Sequence, residues 1–129
     1  EIYSVSATPY QYDHLDLLIE NENGIVGVEV KGRTFPSYQY GDIMVEKTKL
    51  DSANEYIKEG RCRAVWLASL HTDDVLCLGN IRNGKKIVKN APKTTCFGNN
   101  NIVEKEFISC PQQLKVQVFH TDDGYSFKR

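Results

Sequence analysis

From Gly24 to Gly32 the chain alternates. Val26, Val28 and Val30 fall on one side of an extended strand, and Gly27, Glu29 and Lys31 on the other. This pattern predicts that the valine side buries and that the glycine leaves room for something to approach the opposite side. Upstream, His14-Leu-Asp16-Leu-Leu-Ile-Glu20 is a second apolar run, and Asn21-Glu-Asn-Gly24 between the two is turn-forming. Together they predict an antiparallel hairpin with Asp16 near the start of its first strand. Glu1 to Ser6 alternates as an edge strand would, Ala7 to Tyr12 reads as a loop, and Gly32 to Asp42 is a long aromatic and polar loop. Asp42 to Glu46 is a short strand or a helix lead-in. A helix is predicted from Thr48 to Glu59, with Leu50, Ala53, Asn54 and Ile57 as its apolar stripe, Ser52 and Glu55 as a capping pair, and Gly60 as its stop. Arg63 to Leu70 is the most apolar stretch and reads as a central strand, paired with Val75 to Ile81. Asn83-Gly84 predicts a hairpin turn into Lys85 to Lys89, followed by a loop from Asn90 to Asn101. Ile102 to Ser109 is a strand or short helix. Leu114 to His120 alternates cleanly and turns at Asp122-Asp-Gly124 into Tyr125 to Phe127.

These elements predict an α+β (α/β) domain with a mixed central sheet, few helices and a β-rich C-terminal half. At 129 residues, with 40% hydrophobic and 26% charged positions, the chain is sized and composed for one globular domain, residues 1–129. No run approaches a membrane span and no signal peptide is visible. Cys62, Cys77, Cys96 and Cys110 are scattered without zinc-ligand spacing, which predicts free thiols and a cytoplasmic location. Net charge of −1 argues against a generic polyanion binder, but the charges are segregated. Residues 1–24 hold five acids and no lysine or arginine; residues 75–103 hold five bases (Arg82, Lys85, Lys86, Lys89, Lys93) and no acid. An acidic end beside a basic end suits a metal site next to a phosphate-tracking surface. The same bases also fit a solvated edge hairpin.

Two carboxylates and a strand carbonyl form a hard-oxygen set for Mg²⁺ or Mn²⁺, and a neighbouring lysine can orient a nucleophile or stabilise transition-state charge. The pattern Asp16-Leu-Leu-Ile followed by Val28-Glu29-Val30-Lys31, with twelve residues between Asp16 and Glu29, resembles the PD-(D/E)XK nucleases, a superfamily that includes restriction endonucleases and Holliday-junction resolvases. The resemblance covers about residues 13–70. No proline precedes Asp16, and the first helix of that family, which often adds an acid to the site, has no clear counterpart upstream. The resemblance implies a restriction-endonuclease-like core and a divalent-metal-dependent nuclease, an endonuclease that hydrolyses phosphodiester bonds in DNA. It implies Asp16, Glu29 and the carbonyl of Val30 as metal ligands, Lys31 as the residue that positions water, and Lys49 as the polar helix residue that helps at the site.

Arg33, Tyr38 and Tyr40 in the loop after Lys31 are candidates for phosphate or base contacts, together with Arg82, Lys85, Lys86, Lys89 and Lys93. At least one of the tyrosines is expected to cap the core. His-Thr-Asp-Asp occurs at 71–74 and again at 120–123; both copies read as strand-end turns rather than metal ligands. A homodimer is compatible with this reading, and the small size with no added recognition domain is in keeping with a phage or mobile-element protein. The alternative is a nuclease-fold module that has lost its chemistry and binds nucleic acid or a protein partner.

Overall fold

In the computed structural model, the described residues are 2–7, 15–92, 101–122 and 124–128. The strands are β1 (Ile2–Ala7), β2 (Leu17–Asn21), β3 (Gly24–Gly32) and β4 (Asp42–Glu46), followed by the helix α1 (Lys47–Lys58). Then come β5 (Ala64–Leu70), β6 (Val75–Asn80), β7 (Lys85–Pro92), β8 (Ile102–Pro111), β9 (Leu114–Thr121) and β10 (Gly124–Lys128). They form a seven-stranded sheet in the order β1-β2-β3-β5-β6-β9-β10 and a three-stranded sheet in the order β4-β8-β7. The β2–β3 hairpin turns through Asn21 to Gly24, and Gly24 takes φ 117°, where a side chain would be strained. β3 and β5 pair in parallel, so the chain between them must cross over; that crossover carries β4 and α1.

The core lies between α1, the smaller sheet and one face of β3, β5 and β6. Leu15, Ile43, Val45, Ala53, Tyr56, Val65, Leu67, Ile81 and Ile108 pack there, with three free, buried thiols, Cys62, Cys77 and Cys110. The buried side of β3 is therefore the one carrying Gly27 and Glu29, whose register partners on β5 are Val65 and Leu67. This corrects the expectation that the valines would define the core side: Val28 is buried, but Val30 is 42% exposed. The reason is close packing at Gly27. A Cβ there would stand 2.5 Å from Leu15 Cδ1, so the space left by the glycine is filled by core side chains.

α1 begins at Lys47 after an N-cap, Glu46, that makes no side-chain cap hydrogen bond, so the expected Ser52–Glu55 capping pair lies inside the helix instead. It ends before Gly60, which adopts φ 75°. The Asn83-Gly84 hairpin also differs. Ile81 to Asn83 form a single 3₁₀ turn capped by the Asn80 side chain, and Gly84 is extended, so β6 and β7 enter different sheets. A Cβ at Gly84 would fall 2.1 Å from Ile108 Cγ2; the glycine serves close packing against β8. Strand β7 also runs on to Pro92, into the stretch expected to be loop. No helix among the described residues is long and apolar enough to cross a membrane.

Candidate active site

Glu29 is the only acid among the buried polar side chains of the described residues, at 4% exposure. Burying a carboxylate without partners is costly. Two ammonium groups meet it: Lys49 Nζ lies 3.1 Å and Lys31 Nζ 3.4 Å from Oε1. Lys31 comes from the same side of β3 two residues on, as strand periodicity requires. Lys49 comes from the first turn of α1, which the crossover lays over this face. Lys47, two residues before Lys49, instead pairs with Asp51 at 3.2 Å on the exposed side of the helix.

Asp16 binds β3 twice. Its amide donates to the Val28 carbonyl at 3.0 Å, and its Oδ2 accepts from the Val30 amide at 2.7 Å. The side chain thus takes the place of a backbone acceptor at the end of the β2–β3 ladder, at the level of Glu29. Asp16 itself is exposed. The described residues contain no group of three or more His, Cys, Asp or Glu side chains arranged to hold a metal ion. Glu29 Oε1 is thus engaged by the two lysines, and Asp16 Oδ2 by the backbone of the residue after Glu29.

No family model matches the chain, and no curated protein matches it. Among solved structures it is similar to Hjc from Archaeoglobus fulgidus, a Holliday junction resolvase from an archaeal hyperthermophile. That match has a TM-score of 0.52 at 10% identity and covers 81% of this chain and 74% of the other. The chain shares the fold of that resolvase, a restriction-endonuclease-like mixed sheet. Within this restriction-endonuclease-like fold, Glu29 and Lys31 lie on a core strand of the mixed sheet and Lys49 on the helix that covers it.

The remaining residues singled out in the sequence scatter. Arg33 turns inward: its amide continues the ladder to the Leu70 carbonyl, and its guanidinium donates to the Met44 carbonyl. Its pKa is lowered by burial. Tyr38 is 78% exposed; Tyr40 is also exposed and stands edge-on to Phe35, with ring centroids 5.0 Å apart. Neither tyrosine caps the core. On β7, Lys85 and Lys89 share one face and Lys86 the other, where it pairs with Glu106 at 3.1 Å. Lys89 lies over the Phe107 ring, and Arg82 sits exposed in the 3₁₀ turn. Lys93 lies outside the described residues.

His71, read from the sequence as part of a strand-end turn, faces inward instead. It is buried, with Nδ1 3.2 Å from the Phe35 carbonyl and Nε2 2.8 Å from Ser69 Oγ. Its Nδ1–H therefore donates and its Nε2 accepts from the hydroxyl. The turn reading of residues 71–74 does hold for Asp73 and Asp74. Asp74 adopts φ 57°, and Asp73 accepts from the Ser37 amide at 3.0 Å and hydroxyl at 2.7 Å, tying the 33–41 loop down. Those bonds hold the Asp73 carboxyl below its ordinary value.

Proposed function

We propose that the protein is a divalent-metal-dependent nuclease acting on DNA. The observation that carries this reading is the convergence of Lys31 and Lys49 on the buried Glu29, on the strand clamped by Asp16. A Glu–Lys pair serving only the surface would sit in water and contribute little. This one is held at the core boundary, where charge acts through a lower dielectric.

The donor chemistry fits a hard cation. Asp16, Glu29 and the Val30 carbonyl would hold Mg²⁺ or Mn²⁺, with water completing the shell, as Mg²⁺ usually keeps several waters. An ion held there would supply an acidified water and neutralisation of phosphoryl charge. The chain's own residues do the rest. Lys31, the more exposed of the two ammoniums, positions the attacking water and balances charge that builds on the phosphoryl oxygens. Lys49 holds Glu29 in place from the helix. The phosphodiester would be cut by in-line displacement: the water oxygen bonds to phosphorus as the opposite P–O bond to the sugar breaks, leaving a phosphomonoester and a free sugar hydroxyl.

One feature favours the catalytically silent alternative: with two lysines on it, Glu29 is neutralised without any ion. The deciding experiment is cleavage of single-stranded, duplex and four-way-junction DNA with Mg²⁺ or Mn²⁺, beside Glu29→Gln, with melting followed as Mn²⁺ is added. Cleavage lost in the variant, with an Mn²⁺-dependent rise in melting temperature only in the parent, supports the nuclease. No cleavage and no Mn²⁺ effect in the parent leaves a binding module.

A further inference from the structure

Beside the candidate active site, a cleft of about 680 Å³ opens between the end of β5, the 33–41 loop and the smaller sheet. Its volume lies in the range of sites that take small organic ligands, about 300–1,000 Å³. Two cations line it, Arg33 and Lys89, from different sheets. Neither forms an ion pair among the described residues. Arg33 spends one donor on the Met44 carbonyl, while its guanidinium offers several more, and Lys89 rests over Phe107. A partly desolvated arginine with no carboxylate partner is poised for an anion, and burial already lowers its pKa.

The opposite character is present in the same walls. Phe35, Tyr40 and His71 form a chain of ring contacts at 5.0 and 5.4 Å, and the Tyr40 ring is 55% exposed. Such a ring is a platform for a flat base. The acid in the wall, Asp42, accepts from Ser109 Oγ at 2.6 Å. A carboxylate suits the N–H donors of a base rather than its phosphate. The cleft also has a fixed relation to Glu29. Ser69, in its wall, is the register partner of Lys31, and Arg33 follows Lys31 by two residues, on the order of 6–7 Å along an extended chain.

We propose that this cleft holds one unpaired nucleotide of the DNA strand being cut, its phosphate on Arg33 and Lys89 and its base against Phe35 and Tyr40. The assignment to that strand rests on the nuclease reading; the nucleotide chemistry does not. A base still paired in a duplex does not reach the aromatic wall, so the substrate is one whose strand is single, branched or opened at the cut.

The test is binding without metal, in EDTA, so that it does not depend on cleavage. Deoxynucleoside 5′-monophosphates, a short oligothymidylate and inorganic phosphate are titrated by calorimetry against the parent, Glu29→Gln, Arg33→Gln and Lys89→Gln. Lys89 is the safeguard should Arg33→Gln disturb its anchor on Met44. Expected are saturable binding of monophosphate and oligomer, retention in Glu29→Gln, at least tenfold weakening in the Lys89 variant and in a folded Arg33 variant, and phosphate at least tenfold weaker than nucleotide. No binding, or binding that both cation variants leave unchanged, overturns the proposal. Phosphate bound as tightly as nucleotide also overturns it, because the aromatic wall then recognises nothing. Monophosphate binding without oligomer binding places a free nucleotide in the cleft and overturns the strand assignment. If cleavage fails while metal-free binding behaves as expected, the nuclease reading falls and the nucleotide site stands.

Discussion

Glu29 is held by two cations of unequal standing. Lys49 reaches it from the helix with 28% side-chain exposure and Lys31 from its own strand with 38%. Removing Lys31 leaves Lys49 in place and opens no buried cavity. Lys31→Ala is therefore expected to keep the fold, shift melting by only a few degrees, and lose about 10²–10³-fold in cleavage rate, the size of one lost electrostatic contact to the transition state. Lys49→Ala should lower both stability and rate, because it unpins the helix as well as the carboxylate. Steady-state cleavage and thermal melting on the two variants separate these roles. Gly27→Ala is expected to destabilise by about 1–3 kcal/mol through overpacking, since Leu15 occupies the needed space; denaturant titration checks it. At this scale the sequence exposes Glu29 and Lys31, because strand periodicity is local. It does not expose the burial of the Glu29 side, because the helix from Lys47 to Lys58, remote in sequence, covers it. His71 was equally hidden: its partners Ser69 and Phe35 come together only when the loop closes over β5.

Strand pairing sorts the basic segment in a way composition alone does not. In β7, Lys85 and Lys89 point to the face shared with Lys105, and Lys86 to the face shared with Glu104 and Glu106. A nucleic-acid backbone drawn to this ribbon meets the first face. Lys89→Gln is expected to reduce the slope of log affinity against log salt by about 0.9 in magnitude, one phosphate contact, while Lys86→Gln leaves it unchanged. Equal slopes for the two variants would show that the ribbon is a solvated edge. The 33–41 loop is tied to the turn after β5 by Asp73, through both polar groups of Ser37. Because the Asp73 carboxyl is held below its ordinary value, its contribution is present at neutral pH and lost as pH falls through that lowered value. Asp73→Ala should raise amide exchange across the loop without touching Glu29. Strand and helix positions were largely readable from periodicity. The Asn83-Gly84 turn was misread because a local turn signal was outweighed by the packing of Gly84 on Ile108.

Across the molecule, three thiols sit in the core and burial raises all of them above their ordinary values, Cys110 to about 11. The unfolded chain loses these protons near pH 8.5 or so while the folded chain keeps them. Stability is therefore full below that point and falls as pH rises toward about 11. In a Cys96→Ser background, thiolate absorbance is expected to appear with unfolding rather than before it. The parallel pairing of β3 with β5 has a consequence in time. Glu29 lies on β3, Lys49 on α1, and the wall behind them on β5, so nothing made of residues up to Gly32 alone contains the site. Parallel neighbours are joined only after the whole crossover has formed. During synthesis the emerging chain carries Glu29 and Lys31 together on β3 but apart from Lys49, and the proposed site is incomplete until β5 has left the ribosome and docked. Chains arrested after Lys58 should neither bind nor cut, whereas chains released with β9 complete should do both. On the proposed nuclease reading, activity is thereby withheld from the nascent chain until its own folding is nearly done.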